Sequence, residues 1–199
     1  MQMSSARSNS PARNRRVVIS DASCLIDLQK VNLVEVMLQL PYAFGVALPV
    51  AHNEVLDFST SDWERFSDAG LERIDLDGSQ VGRAVAHRAQ YSRLTSEDCF
   101  SLVLAEDHAG SILLTGDAEL RTVAAARGCE VHGVLWVTDE ICRNGLVVDS
   151  QIAACLNTWL GDPFVRLPTV ELNARIRQLT RTQLASAEPG DGEMSKSAD

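Results

Sequence analysis

The amino-acid sequence predicts an α/β domain, a three-layer α/β/α sandwich around a short, mainly parallel central sheet. Three observations lead there. Val17-Val18-Ile19 and Ile112-Leu113-Leu114 are short unbroken apolar runs, the pattern of strands covered on both faces rather than on one. Each run stops at residue types that cap helices, and helical periodicity follows, so strands and helices alternate. Finally, 199 residues with a hydrophobic fraction of 45% suffice for one sizeable core.

Arg16 to Leu28 reads as a strand running into a short helix, since Ser20, Asp21 and Ser23 are capping types and Leu25, Ile26 and Leu28 have helical spacing. Asp21 therefore stands at a strand's carboxyl end, the edge where open α/β sheets bind ligands. Val31, Val34, Met37 and Leu38 predict a helix over 31–40, ended by Pro41. Phe44 to Leu48 reads as a second strand. Pro49, whose missing N–H is not needed in a first turn, opens a helix over 50–58 that carries Glu54, with Val50, Val55 and Phe58 as core contacts. Trp63 and Phe66 mark a helix over 61–69 closed by Gly70, and 71–76 alternates as an edge strand. The helix over 79–91 is expected to turn Val81, Val85 and Ala89 inward and Arg83, His87 and Arg88 outward.

Thr95 to His108 is an apolar helix, nearly buried all round, with Thr95 or Ser96 as cap and Asp98 in its first turn. After Gly110 the next strand runs straight into Thr115-Gly116-Asp117, and a helix over 118–127 follows, stopped by Gly128. Glu130 to His132 is a short strand. Helices over 134–143 and from Asp149 or Ser150 to Leu160 come next, and Gly161-Asp162-Pro163 breaks the second. Leu172, Ile176 and Leu179 then form the stripe of an amphipathic helix. The expected organisation is a disordered basic leader (1–15), one domain (16–165), a C-terminal amphipathic helix (166–185) and a disordered tail (186–199).

Composition narrows the classes. The leader lacks the apolar region of a secretory signal and no run approaches a membrane span, so a cytoplasmic protein without a membrane partner is expected. Five cysteines, with no C-x-x-C pair, fit neither a zinc site nor a disulfide framework. The four histidines show no ligand spacing. The formal charge is −9, a field that repels nucleic acid at long range and counts against a simple nucleic-acid-binding module. Arg83, His87, Arg88, Arg93, Arg121 and Arg127 form either a local positive rim for phosphate contacts or an ordinary solvated face.

Four acids sit at element ends rather than on outward faces. Asp21 and Asp117 follow strands, Asp98 opens a buried helix, and Glu54 lies in the helix after the second strand. In a parallel sheet Asp21 and Asp117 emerge on one edge and meet if their strands are neighbours. Each acid also has a local explanation: Asp21 and Asp117 as helix caps, Thr95-x-x-Asp98 as a capping box, Glu54 as a solvated acid. Together they describe a site for a hard cation such as Mg²⁺ or Mn²⁺, which takes carboxylate oxygens and relieves their repulsion.

Asp21-Ala22-Ser23-Cys24-Leu25-Ile26, the Leu48-Pro49 to Glu54-Val55-Leu56 segment, Ser96-Glu97-Asp98, and Leu113-Leu114-Thr115-Gly116-Asp117 resemble, in order and spacing, the successive motifs of the PIN-domain family, including its VapC-type toxins. The resemblance covers roughly residues 16–146, and the Arg166-Leu167-Pro168 segment with its helix is similar to an extension of some relatives. It implies that Asp21, Glu54, Asp98 and Asp117 form a catalytic quartet holding Mg²⁺ or Mn²⁺, assisted by the hydroxyls of Ser23 and Thr115. Glu97 competes with Asp98 for the third position, and the offset from Ala105 and Asp117 favours Asp98.

The resemblance further implies a metal-dependent endoribonuclease, the toxin of a type II toxin–antitoxin module, hydrolysing RNA to a 5′-phosphate and a 3′-hydroxyl without a covalent protein intermediate. A small basic antitoxin and a homodimer are the expected partners. A second reading is a catalytically silent PIN-like domain kept as a binding or assembly module.

Overall fold

The computed structural model describes residues 15–56 and 58–187, so nearly all of the expected leader and tail lies outside the described residues. Along the chain come β1 (Arg16–Ser20), α1 (Ala22–Lys30), α2 (Val34–Met37), β2 (Tyr42–Ala47), α3 (Leu48–Asn53), α4 (Thr60–Asp68) and β3 (Leu71–Ile74). Then follow α5 (Gly78–Gln90), α6 (Ser96–Asp107), β4 (Ile112–Leu114), α7 (Ala118–Ala126), β5 (Glu130–His132), α8 (Val134–Arg143), α9 (Asp149–Gly161) and α10 (Thr169–Ala187).

The five strands form one sheet in the order β3-β2-β1-β4-β5, and every pairing is parallel. The apolar runs dictate this: Val18, Ile19, Ile112, Leu113 and Leu114 are fully buried, as central strands covered on both faces must be. Helices α6 and α7 pack together on one face, while α1, α2 and α8 pack together on the other. The chain leaves β1 toward β2 on one side and has β4 on the other, so the β1/β4 boundary is the sheet's switch point. Ser20 pairs with Leu114, and Asp21 extends the ladder by donating its N–H to Leu114 O at 2.8 Å. The two strands thus end level, and Asp21 and Thr115 leave the sheet side by side.

Several elements differ from expectation for local reasons. The helix over 31–40 shrinks to α2, because Asn32 adopts a left-handed backbone (φ 56°) and breaks the first turn. Helix α3 ends at Asn53, leaving Glu54 as its C-cap rather than inside a longer helix; Val55 and Phe58 are still buried, but from the connection that follows.

Helix α5 presents the opposite face to the one its apolar spacing suggests. Ala84 and His87 are buried, whereas Val85 is 63% exposed and Val81 39%. The acidic end of α6 accounts for this. Arg83 and Gln80 donate to Asp107 (2.6 and 2.8 Å), and His87 Nε2 lies 3.1 Å from Glu106 Oε2. Those polar contacts draw the Arg83/His87 side inward and leave the valines at the surface.

At the C-terminal end, Trp159 of α9 donates its indole N–H to Asp27 O at 2.9 Å, fastening α9 to α1. Helix α10 lies along α9 and buries Leu172, with Ile176 and Leu179 half-buried. No helix among the described residues is long and apolar enough to cross a membrane.

Candidate functional site

Asp21 is the hub of the sheet's carboxyl edge. It caps α1, its Oδ1 accepting the Ala22 N–H at 2.7 Å, and its Oδ2 accepts the hydroxyls of Ser23 and Thr115, each at 2.9 Å. Only 5% of the residue is exposed. Burial pushes its pKa above the usual carboxylate range, and the nearby Asp98 charge adds to that; the hydrogen bonds from Ser23, Thr115 and Ala22 oppose it. The two hydroxyls expected to assist the first acid are therefore its direct donors.

Asp117 is joined to this hub through Thr115. The Thr115 hydroxyl that donates to Asp21 also accepts the Asp117 N–H at 3.0 Å. The carboxylate of Asp117 caps α7, Oδ1 accepting from Leu120 N at 2.7 Å, and the residue is exposed at the mouth of the site. Ser23 Oγ accepts the Gly116 N–H at 3.1 Å, and a Cβ at residue 116 would stand 3.3 Å from that oxygen, so glycine lets the loop close there.

Asp98 forms the anticipated capping box: Thr95 N–H donates to its Oδ2 at 2.7 Å and Thr95 Oγ1 accepts its N–H at 3.0 Å. Glu54, at the end of α3, is half-buried with no hydrogen-bond donor to its carboxylate among the described residues. Burial first, then the charges of Asp21, Glu97 and Asp98, push its pKa up to about 7. Glu97 thus belongs to the same electrostatic cluster, held by Asn53 Nδ2 at 2.9 Å. Asn53 went unnoticed in the sequence, since its only signal is adjacency to Glu54.

The structure therefore brings Asp21, Glu54, Glu97 and Asp98 within each other's fields and ties Asp117 to Asp21 by one shared hydroxyl. Among the described residues no three His, Cys, Asp or Glu side chains are gathered in a way that would by itself hold an ion. Asp21, Asp98 and Asp117 each give one oxygen to a backbone N–H near a helix start, where the helix dipole favours negative charge.

The donor set nevertheless fits a hard divalent cation. None of these five acids is ion-paired with a lysine or arginine among the described residues. Glu54, Asp98 and Asp117 each keep at least one carboxylate oxygen without a protein donor. The charges of Asp21, Glu97 and Asp98 oppose that of Glu54, a repulsion that a divalent cation relieves.

The candidate rim of positive side chains is largely spent in pairs. Arg83 meets Asp107, Arg93 meets Glu119 and Arg127 meets Glu106. His87 is buried rather than at the surface. Arg121 remains near the site, one guanidinium nitrogen donating to Thr115 O at 3.0 Å. Burial raises the thiol pKa of all five cysteines, so none is a thiolate nucleophile near neutral pH.

The fold is a parallel α/β/α sandwich whose carboxyl edge carries the helix-capping acids Asp21 and Asp117 at its switch point. The chain belongs to the PIN-domain family: the family model DUF3368, described as a PIN domain, matches residues 17–181. No curated protein matches the sequence.

Proposed function

We propose that this protein is a metal-dependent endoribonuclease, with Asp21, Glu54, Asp98 and Asp117 as its catalytic acids. The observation that carries the reading is the buried, doubly hydroxyl-bonded Asp21 at the switch point, in the field of Asp98 and linked through Thr115 to Asp117. These acids would hold Mg²⁺ or Mn²⁺, which when bound polarises a phosphodiester, acidifies water and offsets charge on the attacking and leaving oxygens.

The chain's own residues have separable tasks in this reading. Ser23 and Thr115 fix Asp21 so that its carboxylate is pre-positioned. Asp98 and Glu54 complete the negative wall, with Glu97 behind them. Glu54, with no hydrogen-bond donor to its carboxylate among the described residues, would keep both oxygens for the cation. No protein nucleophile is needed.

The motif order supports a VapC-type toxin of a type II module, and the −9 charge suits a small basic antitoxin, whose encounter such a field accelerates. A homodimer and a cytoplasmic location complete this reading. Co-purification of a small basic protein and sedimentation as a dimer are the expected results; a monomer with no such partner contradicts the toxin assignment.

The nuclease assignment is tested by incubating the purified protein with single-stranded and hairpin RNAs, with and without Mn²⁺. Cleavage is expected only with the metal and only with the wild-type chain. Equal cleavage by an Asp21→Asn/Asp98→Asn double variant contradicts the assignment, and no cleavage by either protein favours the silent binding module.

A further inference from the structure

A groove of about 750 Å³ runs from Asp117 across the face formed by α1, α7, α8 and the connection between α9 and α10. Ser23, Thr115 and Asp117 line its inner end, so it opens directly onto the candidate catalytic edge. Its far wall is the connection itself, which presents Phe164 and Arg166.

That connection is held in place. Asp162 pairs with Lys30 of α1 at 3.2 Å, and its Oδ1 accepts the Phe164 N–H at 2.8 Å. Val165 N–H returns to Asp162 O at 3.2 Å. On this fixed turn Phe164 is 84% exposed, the most exposed large hydrophobic residue among those described. A phenyl ring so exposed on a groove wall contributes little to the core and leaves its faces open to a ligand.

The charge balance of the groove points the same way. Lys30 and Arg175 also line it, but they are occupied by Asp27, Asp162, Asp139 and Glu171. Arg166 and Arg121 have no carboxylate partner among the described residues. With Asp27 and Glu171 paired to Lys30 and Arg175, the charges left unpaired along the groove are these two guanidinium groups and the carboxylate of Asp117. A backbone-tracking cation next to a base-stacking ring is the minimal recognition unit for single-stranded nucleic acid.

We infer that this groove seats the single-stranded RNA flanking the scissile bond, with Phe164 stacking on a base and Arg166 and Arg121 contacting phosphates. The inference rests on the nuclease reading for its substrate and adds where that substrate lies. Phe164 and Arg166 act in binding and positioning; neither belongs to the acidic cluster. The placement also resolves how an acidic body engages RNA: the long-range field is unfavourable, and local contacts on one wall offset it.

The test is fluorescence anisotropy of a fluorescein-labelled 15-nucleotide single-stranded RNA with the full chain in Ca²⁺, and Mn²⁺-dependent cleavage of the same RNA by the wild type in parallel. Phe164→Ala and Arg166→Ala are each expected to weaken binding about tenfold, with an unchanged melting temperature. Phe164→Trp retains wild-type affinity, and Arg166→Ala lowers the salt dependence. Binding that is absent in the wild type, or undiminished in both alanine variants, overturns the inference; the first outcome leaves the groove to a protein partner. Cleavage without any variant effect on binding keeps the nuclease reading and rejects the groove. Variant-sensitive binding without cleavage keeps the groove as an RNA surface and rejects the nuclease reading.

Discussion

Thr115 Oγ1 stands 2.9 Å from Asp21 Oδ2, joining residues 94 positions apart where β1 and β4 end level. The same oxygen accepts the Asp117 N–H, so one buried hydroxyl fixes both strand-end acids. This double duty makes Thr115 more than a spacer before the last acid.

Thr115→Val keeps the shape but removes a donor to Asp21 and an acceptor for Asp117. The buried Asp21 carboxylate loses a donor and the Asp117 N–H at the site's mouth loses its acceptor, and a stability loss of about 1–3 kcal/mol is expected. Urea unfolding measures it. Ser23→Ala, at a half-buried site, is expected to lose less, and an unchanged unfolding midpoint for Thr115→Val contradicts the shared-hydroxyl account.

Asp98 has a structural role in the capping box of α6 and a proposed catalytic one, which two substitutions separate. Asp98→Asn preserves an oxygen for the Thr95 N–H, so α6 keeps its cap and the melting temperature stays near that of the wild type. Asp98→Ala loses the reciprocal half of the capping box, the bond from Thr95 N–H, while Thr95 Oγ1 still accepts the residue 98 N–H, at a cost of about 1 kcal/mol. Both are expected to lose RNA cleavage. Activity retained in Asp98→Asn but lost in Glu97→Gln would give the third catalytic position to Glu97.

Glu54 gives stability a pH dependence. Its pKa in the folded chain is raised to about 7, so the folded state holds this proton more tightly than the unfolded chain does. Its contribution is fully present below the ordinary glutamate value, about 4.3, and is lost as pH rises through 7. In EDTA, the melting temperature is expected to fall between pH 5 and pH 8 by more in the wild type than in Glu54→Gln. Mn²⁺ at pH 8 should restore it in the wild type alone.

The inverted face of α5 is testable without reference to catalysis. Val85 is exposed and Ala84 buried, so Val85→Lys should change stability by less than about 0.5 kcal/mol. Ala84→Leu overpacks the α5/α6 contact and should cost about 1–3 kcal/mol. Chemical denaturation of the two variants distinguishes this arrangement from the one with Val81 and Val85 inward.

Much of the fold was legible because buried parallel strands leave unbroken apolar runs: β1 and β4 stand where Val17-Val18-Ile19 and Ile112-Leu113-Leu114 placed them. The capping acids were legible too, since Asp21, Asp98 and Asp117 each precede or open a helix. The face of α5 was not, because its orientation depends on Glu106 and Asp107 of another helix, which local periodicity does not reveal. Likewise Glu54 keeps its place near the cluster although α3 stops at Asn53. Phe164 gave no signal, being one aromatic residue in a turn until the groove beside it is seen.

The central claim is that the acids at the end of β1 and β4 form a divalent-cation site. Calorimetric titration of the full chain with Mn²⁺ addresses it most directly. Saturable binding of one or two ions is expected, absent in Asp21→Asn; heats from the wild type no larger than those from the variant would contradict the claim.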